Sequence, residues 1–384
     1  MKLIGILLLF CGTSLVVSCH ERQCGTDLRN LWLDVVLVVD NSNGMTRKGL
    51  SSIAANIATV FSASRIGEDP NYNKTVRIGL VTYNEKAQRN ADLHEYRSFN
   101  AIMERIPNEL KATADTPVSF ISTGLQAAQD LLFAQSFSTS RDHYRKVVIV
   151  YASTYKASGK NDPRPVVDRM RGRGVKIITV AYNQGGENIV EQLSKIADPG
   201  FSFNNSQNVV NQIQNALFQV NCFCPSDNWH QYTIPFFKYG TCIQPVGMPS
   251  MWRAARVSCA MRLNNNVTYL ATEFSRDKHD FILRKLKDTD TISPPYNYHI
   301  GLHRVNGQWT WDQPDGVSVQ GWENWAPGYP KAVQEMSAGM NVENGQGAEW
   351  RNVDPTDGVH GSASYVCETY ACDTDNYCAT GDEQ

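Results

Sequence analysis

The stretch "LWLDVVLVVD", residues 31–40, reads as an apolar run, broken only by Asp34, that stops on an acid, Asp40. A strand facing water on one side would alternate apolar and polar residues. A continuous β-branched run is the mark of a strand buried on both faces, as in a parallel sheet. Three further runs repeat the pattern: "TVRIGLVTYN" (75–84), "RKVVIVYAS" (145–153) and "GVKIITVAY" (174–182). Between them lie segments of helical period, from Gly49 to Ser64, Phe99 to Leu110, Thr123 to Gln135 and Pro165 to Gly172. A last one runs from Ser206 to Val220. Strand alternating with helix predicts a doubly wound α/β domain over residues 31–220, with its ligand site beyond the C-terminal strand ends.

Past "NCFCP" (221–225) the texture changes. Trp, Gly, Pro and Asn become frequent, and helical period survives mainly at 250–262 and 273–286, among short strands and long loops. The second domain is therefore placed at 224–370, followed by an acidic tail at 371–384. A chain of 384 residues is comfortable for two domains.

The N-terminus opens with Lys2, an apolar core from Leu3 to Phe10, and small residues before His20. This is the build of a secretory signal peptide over residues 1–19, with cleavage between Ser18 and Glu21. The core is too short to span hydrocarbon, and no later stretch is long and apolar enough to do so. The expectation is a secreted, extracellular product without a membrane span. Of ten cysteines, Cys11 and Cys19 fall within or beside the signal. The even set that remains suits disulfides in an oxidising compartment. Asn-x-Ser/Thr sequons stand at Asn73, Asn204 and Asn266. A formal net charge of -2 leaves no basic surplus for a nucleic-acid binder.

The residues "DVVLVVDNSNGM" (34–45), the "STGLQAAQDLL" helix (122–132) and the "KVVIVYAS" strand resemble a von Willebrand factor A domain. The resemblance implies a metal-ion-dependent adhesion site at the strand ends, where oxygen ligands would hold magnesium and leave one position for a partner's carboxylate. Asp40 and Ser42 match the first loop of that site. Gly44 stands where its second Ser belongs, Ile121 where the Thr belongs, and Ser153 where the second Asp belongs. Ser119 or Ser122 could stand in for the Thr. The alternative for Asp40 is a strand-end turn residue.

Residues 224–370 resemble a C-type lectin-like domain. The resemblance rests on "YHIGLHRVNGQWTW" (298–311), "GWENWAPGYP" (321–330), "AEWRNV" (348–353) and the cysteines around them. It implies Cys224–Cys242 and Cys259–Cys367. The flanking positions of Cys24 and Cys222 suggest that they tie the first domain's ends, leaving Cys372–Cys378 as a small tail loop. In this family a Glu-Pro-Asn or Gln-Pro-Asp tripeptide, with a later Trp-Asn-Asp, holds calcium and a sugar. The aligned positions here are Tyr329-Pro330-Lys331 and Trp350-Arg351-Asn352. A Lys and an Arg at those places would repel a divalent cation. Gln313-Pro314-Asp315 spells the sugar tripeptide, but it lies upstream of that place and reads as a turn. The family's second loop disulfide is also missing.

The ligand-binding candidates are Tyr329, Lys331, Trp350, Arg351 and Asn352, because aromatic and Arg side chains together favour interfaces. No catalytic elbow, His-Glu-x-x-His or phosphate loop occurs, so no enzyme is expected. His299 and His303 would lie roughly 13 Å apart on a strand and could not share a metal. His143, His230 and His360 read as surface residues. The order of the two resemblances is similar to secreted nematode proteins linked to responses to microbes. It implies recognition of an extracellular glycan or protein ligand with no cofactor, calcium or magnesium being the alternative. The competing functions are a matrix or adhesion component acting through the A-type domain, and a calcium-dependent carbohydrate-binding lectin.

Overall fold

The computed structural model describes residues 21–69, 71–133, 141–182, 189–263, 267–313, 318–319 and 321–378. The expected signal segment, the Asn266 sequon and the turn at Pro314-Asp315 lie outside them. The chain forms two compact units. One is Gln23–Cys242 with Tyr370–Gln384; the other is Ile243–Thr369 with Met1–Arg22.

The first unit is built on β1 (Leu33–Asp40), every residue of which is buried. Around it lie β2 (Val76–Tyr83), β3 (Ala87–Ala91), β4 (Arg145–Ala152), β5 (Lys176–Ala181) and β6 (Ser202–Asn204), in the order β3-β2-β1-β4-β5-β6. All neighbours are parallel except β2 and β3. The period of two divides β1 between two cores. Val35, Leu37 and Val39 pack with α1 (Arg47–Val60), α2 (Phe99–Glu109) and α6 (Val209–Val220). Val36 and Val38 pack on the other face with α3 (Ile121–Phe133), α4 (Arg164–Arg171) and α5 (Ile189–Ser194). Because β2 and β4 both flank β1, the sheet order reverses there, and the crevice expected of this architecture opens beside Asp40.

The edge strands β3 and β6 and the short helix α5 were not expected from the sequence. β3 is polar and mostly exposed, β6 has three residues, and α5 fewer than two turns, so none carries a periodic signal.

The hairpin of β7 (His230–Ile234) and the start of β8 (Phe237–Ser250) also belongs to the first unit, as does the chain from Tyr370. This differs from the expected boundary at 224 and from a free tail. The reason lies at Trp32, which is wholly buried and donates its indole N–H to the Asp373 carbonyl at 3.0 Å. The rings of Tyr144, Phe223 and Tyr377 surround it at 4.9–5.6 Å. Phe223 and Cys372 exchange backbone hydrogen bonds of 3.0 and 2.8 Å. Cys24–Cys222 and Cys224–Cys242 close the same unit, and Cys372–Cys378 closes the docked loop. The first of these ties residues 198 apart, a loop long enough to remove roughly 5 kcal/mol of unfolded-chain entropy.

The second unit carries α7 (Trp252–Ala260), α8 (Arg276–Lys287) and strands β9 (Thr268–Leu270), β10 (Tyr298–Val305) and β11 (Gln308–Trp311). It also contains β12 (Ala338–Glu343), β13 (Ala348–Val353) and β14 (Ala363–Tyr370). Its sheet runs β13-β12-β10-β14-β8, with β11 on β10 and β9 on β14. Cys259–Cys367 fastens α7 to β14. Gly301 is obligatory in β10, because a Cβ there would stand 2.4 Å from the Leu270 carbonyl oxygen.

Replacing Trp32 with Ala is expected to destabilise the first unit by about 3–5 kcal/mol. It should also expose the 372–378 loop to limited proteolysis under conditions where the parent protein resists. Denaturant unfolding and mapping of the first cleavage site check both outcomes.

Candidate functional site

Two places follow from the architecture: the crevice at Asp40, and the long loop between β11 and β12 where it meets β13.

Asp40 ends β1 wholly buried, and both its oxygens are engaged. Oδ1 accepts the Ser42 N–H at 2.9 Å; Oδ2 accepts the Ser153 N–H at 3.1 Å and the Ser153 hydroxyl at 2.5 Å. Ser42 Oγ and Ser119 Oγ are buried nearby and make no hydrogen bond. Burial and the Asp40 charge hold the Tyr83 phenol well above its usual range, with Ser119 easing the shift. Ile121 is buried in the core, and Gly44 leaves room for Ser153, whose Oγ would lie 2.8 Å from a Cβ there. Magnesium asks for near-octahedral oxygens around it. One carboxylate already holding three donors does not offer such a set. Among the described residues, no group of three His, Cys, Asp or Glu could hold a metal ion.

The long-loop candidates separate into two kinds. Trp350 is wholly buried, and its indole N–H reaches Glu273 Oε2 at 2.7 Å. Asn352 is buried too: its Nδ2 donates to the carbonyls of Lys331 and Met336 at 2.9 Å, and its Oδ1 accepts the Lys331 N–H at 2.8 Å. Both hold the loop and present nothing to a ligand. Tyr329, Lys331 and Arg351 come together at the surface. The Lys331 ammonium lies 5.1 Å and the Arg351 guanidinium carbon 5.5 Å from the Tyr329 ring centre. The Arg351 Nε is buried without a hydrogen-bond partner.

Beneath the loop lies a polar core that the sequence reading missed. Glu273, wholly buried, accepts hydrogen bonds from Tyr298 (2.9 Å), Asn341 (3.0 Å) and Trp350, and pairs with His279 Nδ1 at 3.0 Å. Lys278, also wholly buried, reaches Glu21 at 2.9 Å, Thr272 at 2.7 Å and Glu368 at 3.0 Å. The available signal was Glu273 following the apolar run "TYLAT", a charge where the strand pattern allows none. His299, likewise buried in β10, bonds the Ser250 carbonyl at 2.8 Å.

Burial pushes the His279 imidazole toward neutrality, but the Glu273 charge and their hydrogen bond outweigh it, and its pKa is raised. Burial pushes the Glu273 carboxyl up, and His279, Trp350 and Asn341 together bring it below its usual value. A raised imidazole stabilises fully below its ordinary value of about 6.5 and loses that contribution as pH climbs through the raised value. A lowered carboxyl stabilises above about 4.3 and loses that contribution as pH falls. This pair therefore stabilises the second unit most between those limits. Its contribution is expected to decline as pH rises above about 6.5. Melting curves followed by tryptophan fluorescence should show this decline in the parent, and His279→Gln should abolish it.

The von Willebrand factor type A domain matches residues 34–216, and the Lectin C-type domain matches residues 249–377. C-type lectin domain-containing protein 160 of Caenorhabditis elegans is 28% identical over 372 residues, 93% of this chain. The chain spans 56% of that relative's length. Human lithostathine is a similar solved structure at 20% identity, covering 38% of this chain and 90% of its own, with a TM-score of 0.31. Proximal thread matrix protein 1 of the mussel byssus is another, at 18% identity, covering 50% of this chain and 48% of its own, with a TM-score of 0.39. The chain carries a von Willebrand factor type A domain followed by a C-type lectin domain.

Proposed function

We propose that this chain is a secreted, non-enzymatic recognition protein. Its C-type lectin domain holds an extracellular glycan or protein ligand on the long-loop surface without a metal ion, in defence against microbes. The observation that carries the reading is the Tyr329 ring faced by Lys331 and Arg351, with Asn352 committed to the loop's own hydrogen bonds. Two cations beside an aromatic face repel calcium and attract acidic groups. Four disulfides fit an oxidising compartment. No described helix is long and apolar enough to cross a membrane. Asn73 and Asn204 are exposed, as glycosylation there requires, and complete the extracellular reading with Asn266.

A second reading rests on the two orphaned hydroxyls, Ser42 Oγ and Ser119 Oγ, beside Asp40. They are the atoms a magnesium ion would use if the A-type domain acted in adhesion. Magnesium would then raise the melting temperature above that in EDTA. The metal-independent reading expects the same transition in EDTA, magnesium and calcium.

Screening glycans and microbial surfaces in EDTA is expected to give binding that added calcium does not strengthen. In the double variant Lys331→Ala, Arg351→Ala, affinity should fall about tenfold or more, since each removes a charge-assisted contact. Binding that appears only with calcium, or survives both substitutions unchanged, overturns the reading.

A further inference from the structure

The A-type domain has a second charged feature, at the end of the sheet away from Asp40. Arg145 opens β4 and pairs in register with Leu33, the first residue of β1. Here a cleft of about 180 Å³ is lined by His143, Arg145, Lys146, Arg173 and Phe223, with Asp142 at its side. The Arg145 guanidinium carbon lies 3.8 Å from the Phe223 ring centre, so the ring covers one face and leaves the N–H edges available. Asp34, the carboxylate on the neighbouring strand, is already taken by Arg77 and Arg141, at 2.6 and 3.0 Å. Among the described residues, neither Arg145 nor Lys146 has a carboxylate within ion-pair distance.

His143 completes the cleft. Read from sequence as a surface residue, it is half-buried, and its Nε2 meets the Tyr377 hydroxyl at 2.7 Å. Its Nδ1 is buried and, among the described residues, has no hydrogen-bond partner. Burial, then the charges of Arg141 and Lys146, hold the imidazole below its usual pKa. Burial also lowers the Arg145 and Lys146 pKa values. An anion in the cleft would offset both costs.

We propose that this cleft binds a tetrahedral oxyanion, a sulfate or phosphate group, through the guanidinium edge of Arg145 and the Lys146 and Arg173 cations. Its volume equals that of roughly six waters in the liquid. That admits one such group with some hydration. The shared chemistry has two sources, the free ion or an ester group on a polysaccharide.

The test is isothermal titration of the full-length protein with inorganic phosphate, inorganic sulfate and a heparin-derived tetrasaccharide, at ionic strength matched with chloride. The parent should bind at least one of the three, and more weakly as salt rises. Arg145→Gln should weaken that binding roughly tenfold to a hundredfold, the worth of a charge-assisted contact. Arg173→Gln, an exposed position, tests the same cleft without disturbing the stacking on Phe223. Arg145→Lys keeps the charge, and should recover part of the affinity if Arg145→Gln acts on the anion and not on folding. A tetrasaccharide much tighter than inorganic sulfate identifies the ester as ligand; equal affinity per sulfate identifies the free ion. No binding of any of the three, or unchanged affinity in Arg145→Gln and Arg173→Gln, overturns the proposal.

Discussion

The carboxylate of Glu273 is the constraint around which the second unit is arranged. Its two oxygens take donors from four elements: His279 on α8, Tyr298 on β10, Asn341 on β12 and Trp350 on β13. A buried charge is tolerated only when its lone pairs are filled, and losing one partner of such a group costs about 3–5 kcal/mol. Satisfying Glu273 therefore fixes where the indole of Trp350 must lie. Around that indole, Trp311, Trp322 and Trp325 pack edge-on at 5.2–5.7 Å. The Trp350 backbone also donates to Asn324 O at 2.7 Å and accepts from Ala326 N–H at 2.9 Å. A loop without the family's second disulfide is held in this way, by a chain of contacts that starts at one buried acid.

The first unit sets two buried acids at opposite ends of a single strand and satisfies them differently. Asp34 is paired with two guanidinium groups, bidentate in the case of Arg77. Asp40 is held by two backbone N–H groups and a hydroxyl, all neutral. The difference has a consequence at each end. Asp34 engages Arg77 and Arg141, and among the described residues no carboxylate lies within ion-pair distance of Arg145 or Lys146. By taking Ser153 into its own coordination, Asp40 closes on the chain itself at the place where the sheet reverses.

The strands and helices of the first unit were legible because burial on both faces leaves continuous apolar runs, and β1 and β4 were found within two residues of their ends. What failed was whatever lacked a period: β3, β6 and α5. In the second unit, short strands such as β9 carry little signal by themselves, and the motifs around Trp311, Trp325 and Trp350 were the readable part. The candidate residues named from sequence divide in two. Tyr329, Lys331 and Arg351 do meet at the surface, whereas Trp350 and Asn352 turn inward. The alternation along β13 settles this: Trp350 and Asn352 share the buried face, and Arg351 lies between them on the other. Glu273 and Lys278 were missed because each reads as an ordinary surface charge, and only partners up to 257 positions away make burial affordable.

Those buried pairs bear on the kind of ligand the chain can meet. The Lys278 ammonium sits among Glu21, Thr272 and Glu368, three oxygens that would otherwise invite a cation. Asp40 and Glu273 are likewise saturated by the protein's own donors. Among the described residues, Lys331 with Arg351 beside Tyr329, and Arg145 with Lys146 beside His143, have no carboxylate within ion-pair distance. A net charge of -2 therefore conceals local positive surfaces, because steering depends on the unpaired charges at a site and not on the sum over the chain. Both surfaces favour acidic groups.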